Sequence, residues 1–211
     1  LVAHLLNRPL FLRGLWRSLI LLPWVVPSYV VGLLWGFMWL KEGVINHLLV
    51  DVLGLLPQKP HWLIGPLTFV AIVLPTVWRS WPFVMVTYLA ALQTIPQELY
   101  EAAKVDGATP WQALFRITLP LLEKPMLPIL LSAFAFNFNN FYLIYLLTGG
   151  GPAQEGRLAT AQATDILISW AYKTAFSAEG QSAYGLGAAI SLIIFAITVA
   201  ISLVNFRVTG A

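Results

Sequence analysis

Charge is nearly absent from four long stretches of this chain. Ser18 to Leu40 carries none, and Leu63 to Gln97 is apolar apart from Arg79. Met126 to Gly156 is uncharged except at Glu155, its apolar part ending near Leu147, and Gln181 to Phe206 is uncharged throughout. A helix needs about 20 apolar residues to cross a hydrocarbon core about 30 Å thick. The pattern therefore predicts four complete membrane-spanning helices. Residues 1–6 are apolar but too short to cross, and read as the stub of a fifth span that begins upstream, which makes the chain a fragment. Between the spans, residues 41–62 predict a loop with a short apolar helix near Ile45–Leu55. Residues 148–159 open with Thr-Gly-Gly-Gly-Pro, a flexible turn, and Thr164–Phe176 predicts a short amphipathic helix at the outer face. The fold class is an all-α polytopic membrane protein with a single transmembrane domain over residues 1–211.

The insert at residues 93–124 is where charge collects, in Glu98, Glu101, Lys104, Asp106 and Arg116. Its punctuation predicts a helical hairpin. Thr94-Ile-Pro-Gln97 reads as a capping box with an early proline, opening a helix that runs through Lys104. Asp106-Gly107 ends it, because glycine enters the left-handed region without steric cost. Thr109-Pro110 then opens a second helix as N-cap and first helical residue. Lysine and arginine counts orient the chain. One side holds Arg8, Arg13, Arg17, Lys104, Arg116, Lys124 and Arg207; the other holds Lys41, Lys59, Arg157 and Lys173. The richer side, and the insert with it, is expected in the cytoplasm. A soluble hairpin between spans either rests on the membrane or docks a partner outside the bilayer.

Composition narrows the class. The 211 residues are 59% hydrophobic and 10% charged, against about 25% charged in an average soluble domain. So much apolar surface calls for lipid as solvent. There is no cysteine, which excludes disulfides, thiolate metal sites and a cysteine nucleophile. The net charge of +3 is small, and no Lys/Arg cluster is interleaved with aromatics, so no nucleic-acid partner is implied. His4, His47 and His61 share no metal-ligand spacing, so no metal site is expected.

The insert also carries a motif. Glu101-Ala102-Ala103, then Gly107, then Ile117, Leu119 and Pro120 fill every fixed position of the signature of bacterial ABC importer permease subunits, which the chain resembles. The resemblance implies a type I permease bundle in the bacterial inner membrane. It implies that the loop carries a helix seated in a cleft of a cytoplasmic ATPase. Glu101, Ala102, Ala103, Asp106, Gly107, Ile117, Leu119 and Pro120 are then the ATPase-docking residues. Glu101 would anchor the helix, Gly107 would hold the turn, and Leu119-Pro120 would fix the exit into the next span.

The third span holds the candidate chemistry for a solute. Asn137, Asn139 and Asn140 lie at membrane depth among Phe134, Phe136, Phe138, Phe141, Tyr142 and Tyr145. Buried amides need partners, and polar residues inside a span face the bundle interior or an aqueous cavity. Helical spacing places Asn137, Asn140 and Phe141 on one face. Amides beside aromatic rings suit a sugar; interhelical hydrogen bonding is the other reading. AFNFNNFYLIYLLTGGGP is similar to the matching stretch of the larger permease subunits of maltose/maltodextrin importers, the MalF type. That likeness extends from Leu21–Ser28 to Val204-Asn205. It implies sugar contacts at Phe136, Asn137 and Asn140. It also points to Arg79, Ser80, Phe83 and Ala133, which stand where that pattern has Leu, Gly, Tyr and Ser. Arg79 faces either the pathway or nearby carbonyls, since a charge near a span's centre costs about 2.5–3.5 kcal/mol on insertion scales.

No GxxxxGK[ST] loop is present, so the chain binds no ATP or Mg itself; these belong to a partner ATPase. The resemblance implies a second permease subunit, two ATPase copies, an extracytoplasmic sugar-binding protein, and the lipid bilayer and sugar as further partners. Maltose or maltodextrin is the leading substrate, with trehalose, sucrose, another glucoside or glycerol phosphate as alternatives. A secondary carrier would need intramembrane carboxylates, and no Asp or Glu lies within a span. An embedded enzyme would need HExxH, GxSxG or a carboxylate pair, and none occurs.

Overall fold

The computed structural model describes residues 2–6, 11–153, 161–176 and 183–209. Arg8, Glu155, Arg157 and Gln181, used in the sequence reading, lie outside the described residues. The helices are α1 (Val2–Leu6), α2 (Arg13–Val25), α3 (Ser28–Met38), α4 (Val44–Asn46, continued by a π-helical turn His47–Val52) and α5 (Thr68–Leu92). Then come α6 (Gln97–Val105), α7 (Pro110–Ala113, continued by a π-helical turn Leu114–Thr118), α8 (Leu119–Phe138), α9 (Phe141–Thr148), α10 (Leu167–Ala175) and α11 (Tyr184–Thr209).

Among the described residues three helices are long and apolar enough to cross a membrane, Thr68–Leu92, Pro110–Phe138 and Tyr184–Arg207; a fourth span results if α2 and α3 count as one broken helix. The four complete spans expected are reached when that broken pair is counted as one, and two of them are built differently from the hydropathy pattern. Ser18–Leu40 is interrupted at Val26-Pro27, where Pro27 is extended at φ −56° and ψ 141°. Proline disfavours the helical region for its predecessor and donates no hydrogen bond of its own. The span expected from Met126 instead begins at Pro110 and stops at Phe138. Asn139-Asn140 breaks it before α9. The shares of the three apolar windows buried inside the chain are 28%, 11% and 11%. Most of the span surface is therefore left to lipid or to other subunits.

The chain divides into two compact units. The first comprises Leu1–Val25, Ser80–Ala135 and Ala200–Ala211. Ala3 and Leu6 of α1 bury against Met85 and Leu89 of α5, flanked by Ile20 and Trp81. Ala91 and Leu92 bury against Leu122 and Met126 of α8, with Ile95 and Ile129 packed alongside. Trp24 stacks on Phe83 with ring centroids 5.5 Å apart.

The second unit comprises Val26–Arg79 and Phe136–Val199. Its core joins Val31, Trp35 and Trp39 of α3, Ala71 and Ile72 of α5, and Leu143, Ile144 and Leu147 of α9. A Cβ at Gly32 would stand 3.0 Å from Leu146 Cβ, so α3 and α9 approach closely because a glycine lies between them. Proline shapes this core too. Pro75 lacks an N–H and leaves the Ala71 carbonyl of α5 free; the Trp39 indole N–H donates to that oxygen at 3.0 Å.

The loop expected at 41–62 winds around Asn46, which is fully buried. Its amide donates to the carbonyls of Lys41 and Pro60, each at 3.0 Å, and accepts from Trp62 Nε1 at 2.8 Å. Asn46→Ala strands all of these groups, and a loss of about 1–3 kcal/mol is expected. Trp62→Phe removes one bond and should cost about 1 kcal/mol; thermal unfolding of the solubilised protein compares the two. Nearby, Lys59 Nζ lies 2.6 Å from Glu42 and 3.2 Å from Asp51, and His47 Nδ1 meets Asp51 at 3.0 Å. The hydrogen bonds from His47 and Lys59 hold the Asp51 carboxyl below its ordinary value. Those to Glu42 and Asp51 hold the Lys59 amine above its own. A lowered carboxyl pKa gives support that is present above the ordinary carboxylate value and lost as pH falls through the lowered one.

Candidate functional site

Two places hold the candidate residues, one in each unit. In the first unit the polar insert folds into an elbow. α6 has Glu98 in its first turn and Lys104 in its last, signs that oppose the helix dipole at both ends. It begins at Gln97 without the Thr94 capping box. Thr94 Oγ1 instead donates to the Ala91 carbonyl at 2.8 Å, closing α5. At the other end Asp106 is the C-cap and Gly107 takes φ +76°. The N–H of Ala108 reaches the Ala103 carbonyl at 2.8 Å and that of Gly107 the Lys104 carbonyl at 3.2 Å. These are the two bonds of a Schellman motif, which needs a left-handed residue at the Gly107 position.

Thr109 caps α7 as expected, with Pro110 at N1. The sequence reading missed the rest of that cap. Gln112 N donates to Thr109 Oγ1 at 3.3 Å, and Thr109 N donates to Gln112 Oε1 at 2.7 Å. The Thr-x-x-Gln spacing was its signal. The second helix does not end before the membrane. It continues through the Leu114–Thr118 turn into α8, so Leu119-Pro120 lies inside a continuous helix rather than at an exit from the loop. Pro120 has no N–H to give the Arg116 carbonyl, and the widened π turn falls directly before it.

Thr118 is 2% exposed and locks the elbow. Its hydroxyl pairs with Tyr100 OH of α6 at 2.9 Å. Tyr100→Phe should weaken the elbow by about 1 kcal/mol, detected as faster proteolysis after Lys104 with the spans still inserted. Of the expected docking residues, Ala103, Asp106, Gly107 and Ile117 line one groove of about 380 Å³ together with Gln112 and Arg116. Glu101, Ala102, Leu119 and Pro120 are exposed outside it. Val105 is 88% exposed, Trp111 65% and Phe115 61%, and the latter two rings stack 6.2 Å apart. Large apolar side chains held out from a charged loop mark an interaction surface.

In the second unit the candidate residues lie at the break between α8 and α9. Asn139 N donates to the Phe136 carbonyl at 3.3 Å and Asn140 N to the Asn137 carbonyl at 3.2 Å, and Phe141 N then turns back to Asn139 O at 2.9 Å. Asn140, at φ −79° and ψ 71°, is the centre of an inverse γ-turn. This corrects the expectation that Asn137, Asn140 and Phe141 share one helical face. Asparagine side chains compete for backbone groups and favour turns over helix interiors. Phe136 is exposed, while Asn137, Asn139, Asn140 and Phe141 are half-buried.

Arg79, also in the second unit, is half-buried in the middle of α5. Its Nε donates to the Val26 carbonyl at 3.3 Å, the oxygen just ahead of the Pro27 interruption. Among the described residues no carboxylate pairs with it. Ser80, Phe83 and Ala133 fall in the first unit. Ser80 and Ala133 are half-buried, and Phe83 is the ring stacked on Trp24.

The sequence reading also missed a polar knot beyond α9. The Asp165 side chain is 1% exposed and pairs with Lys173 of α10. It accepts from Ser169 Oγ and from Gln162 N, each at 2.8 Å. Lys173 Nζ reaches the Gly149 carbonyl at 3.2 Å, and Thr148 and Thr164 hydroxyls meet at 2.8 Å. The described part of the Thr-Gly-Gly-Gly-Pro segment is therefore tied down rather than loose.

The family model described as "Binding-protein-dependent transport system inner membrane component" matches residues 1–210. The chain is 41% identical over 199 residues to the maltose/maltodextrin transport system permease protein MalF of Klebsiella aerogenes, covering 93% of this chain and 38% of that protein. The same values hold for MalF of Escherichia coli K12. MalF of Yersinia pestis is 40% identical over 197 residues, or 92% of this chain and 37% of that one. The chain thus spans less than two fifths of the length of these relatives. Among solved structures, a bacterial ABC transporter involved in the import of the acidic polysaccharide alginate matches with TM-score 0.70 and 23% identity, over 99% of this chain and 71% of that chain. The same transporter in complex with an alginate pentasaccharide-bound periplasmic protein matches at TM-score 0.69, with 23% identity over 99% of this chain and 70% of that one. These structural likenesses concern the fold.

Proposed function

The chain belongs to the family of binding-protein-dependent transport system inner membrane components, multi-pass proteins of the bacterial inner membrane, and from that premise we propose that it is the translocation subunit of an ABC importer for maltose and maltodextrin. The observation that carries the sugar reading is the interruption of a membrane helix at Asn139-Asn140. There side-chain amides and the rings of Phe136 and Phe141 fall within a few residues of one another. Hydroxyls need both donors and acceptors, which an asparagine amide supplies. The C–H faces of a sugar suit aromatic rings. Phe136, Asn137 and Asn140 hold the sugar in this reading, and the similarity to MalF proteins supports maltose. Arg79, Ser80, Phe83 and Ala133, which depart from the maltose pattern, adjust which sugar is accepted.

The chain carries no ATP-binding loop, so energy comes from two copies of a separate ATPase, which bind ATP and Mg. A second permease subunit completes the pathway, and an extracytoplasmic binding protein delivers the sugar. Closure of the ATPase pair pulls on the elbow through Val105, Trp111 and the Gly107 turn. The continuous helix from Pro110 to Phe138 carries that pull toward the Asn139-Asn140 break. Hydrolysis resets the cycle.

Arg79 favours a second reading, a glycoside bearing an anionic group, because among the described residues no carboxylate neutralises it. Arg79→Leu tests its place. It should leave assembly intact and alter uptake; unchanged uptake assigns the guanidinium to the Val26 carbonyl alone. The function itself is tested by labelled maltose uptake into vesicles holding the full-length subunit, second permease, ATPase and binding protein. ATP-dependent uptake competed by maltodextrin but not by trehalose, sucrose or glycerol phosphate is expected. Competition by one of the last three instead would reassign the sugar.

A further inference from the structure

A continuous run of aromatic rings leads away from the Asn139-Asn140 break, all of it within the second unit. Phe141 stacks on Tyr145 at 5.0 Å. Tyr145 meets Tyr172 of α10 at 5.3 Å, Tyr172 meets Phe176 at 5.2 Å, and Phe176 meets Tyr184 of α11 at 6.1 Å. The rings are not buried by the chain: Tyr145 is 39% exposed, Tyr172 41%, Phe176 61% and Tyr184 64%.

We propose that this ladder is an extended sugar subsite, along which the units of a linear oligosaccharide beyond those at Asn137 and Asn140 stack before entering the membrane. The inference rests on the sugar reading of the break. The ladder is continuous with the break. The ladder starts at Phe141, the residue that closes the γ-turn of the break, and it runs to the side of the bilayer that the charge count makes extracytoplasmic. Among the described residues, the hydroxyls of Tyr145, Tyr172 and Tyr184 find no hydrogen-bond partner. Acyl chains offer such hydroxyls nothing, whereas a glycan offers a hydroxyl for each and an apolar face for each ring.

The ladder is also held rigidly. α10 is pinned to the end of α9 by the Asp165–Lys173 knot. α11 is pinned to α10 because a Cβ at Gly187 would stand 2.8 Å from Ala175 Cβ and 3.2 Å from the Ala171 carbonyl. Ala183 N adds a bond to the Thr174 carbonyl at 3.0 Å. Rings fixed on three helices lose little freedom when a ligand stacks on them. Scattered interfacial aromatics would not need this mounting.

The test is uptake of labelled maltose and of labelled maltohexaose by the reconstituted complex, wild type against Tyr172→Leu and Phe176→Leu. Leucine keeps apolar bulk, so lipid contact survives while stacking is lost. The expected result is a rise in KM for maltohexaose of about fivefold to tenfold, with maltose changed by less than about twofold. Tyr172→Phe, which keeps the ring and loses only the hydroxyl, should raise the KM for maltohexaose by about twofold to threefold, less than Tyr172→Leu. Equal behaviour of both sugars in the leucine variants, whether unchanged or falling together, overturns the ladder. Failure of the wild type to take up either sugar defeats the sugar reading first, and the ladder with it.

Discussion

Gly107→Val abolishes stimulation of the partner ATPase while the spans still insert. The residue holds φ +76°, where an L-residue costs about 1–2 kcal/mol and a β-branched side chain more. Open space surrounds the position, since no heavy atom lies within 4 Å of where its Cβ would stand. The effect therefore comes from the backbone and not from a clash. Forced out of the left-handed region, residue 107 breaks the two bonds that Gly107 and Ala108 return to Lys104 and Ala103. The start of α7 then swings away from α6, and the groove between Ala103 and Ile117 is lost. A graded series checks the cause. Gly107→Asn should keep coupling, since asparagine tolerates this region, and Gly107→Ala should fall between. ATPase stimulation is measured in vesicles, with protease protection confirming insertion. Equal coupling in all three variants would remove Gly107 from the docking role.

Lys173→Ala produces the largest expected loss of stability. It leaves the Asp165 carboxylate buried without its cation, and removing one member of a buried pair typically costs about 3–5 kcal/mol. Asp165→Asn combined with Lys173→Gln removes both charges and should recover most of that loss, because the new amide oxygen can still accept from Gln162 N while its N–H donates to Ser169 Oγ, whose own proton turns to the Ile166 carbonyl. Gly150→Ala belongs to the same test. Gly150 lies at φ +91°, and its Cβ would collide with the Asp165 carboxylate and stand 2.6 Å from Lys173 Nζ. Melting temperatures of the purified protein rank the variants. A double variant as unstable as Lys173→Ala would show that the pair itself contributes little.

What could be read from the sequence was local. Gly107 and Thr109-Pro110 are set by turn chemistry within a few residues, and both formed as expected. Thr94 was misassigned because the same Thr can serve the helix behind it or the one ahead, and the choice depends on how α5 ends. Hydropathy located the apolar stretches but not their interruptions. A window average does not register Pro27 in an extended conformation, or the γ-turn at Asn140. The break at Asn139-Asn140 nonetheless falls on the residues singled out for their amides. The Asp165–Lys173 knot and the Asn46 hub were invisible because each joins residues brought together by loop closure, with no helical or strand period between them. The resemblance to ABC importer permeases came from the Glu101–Pro120 spacing, and the family match covers residues 1–210.

The most direct measurement is ATP hydrolysis by the reconstituted complex of full-length subunit, second permease and ATPase. Binding protein is added with and without maltose. The account predicts that maltose-loaded binding protein raises the rate about tenfold or more over the basal one, and that Gly107→Val removes the rise. A rate indifferent to maltose-loaded binding protein in a fully assembled complex would contradict the coupling of this chain to maltose import.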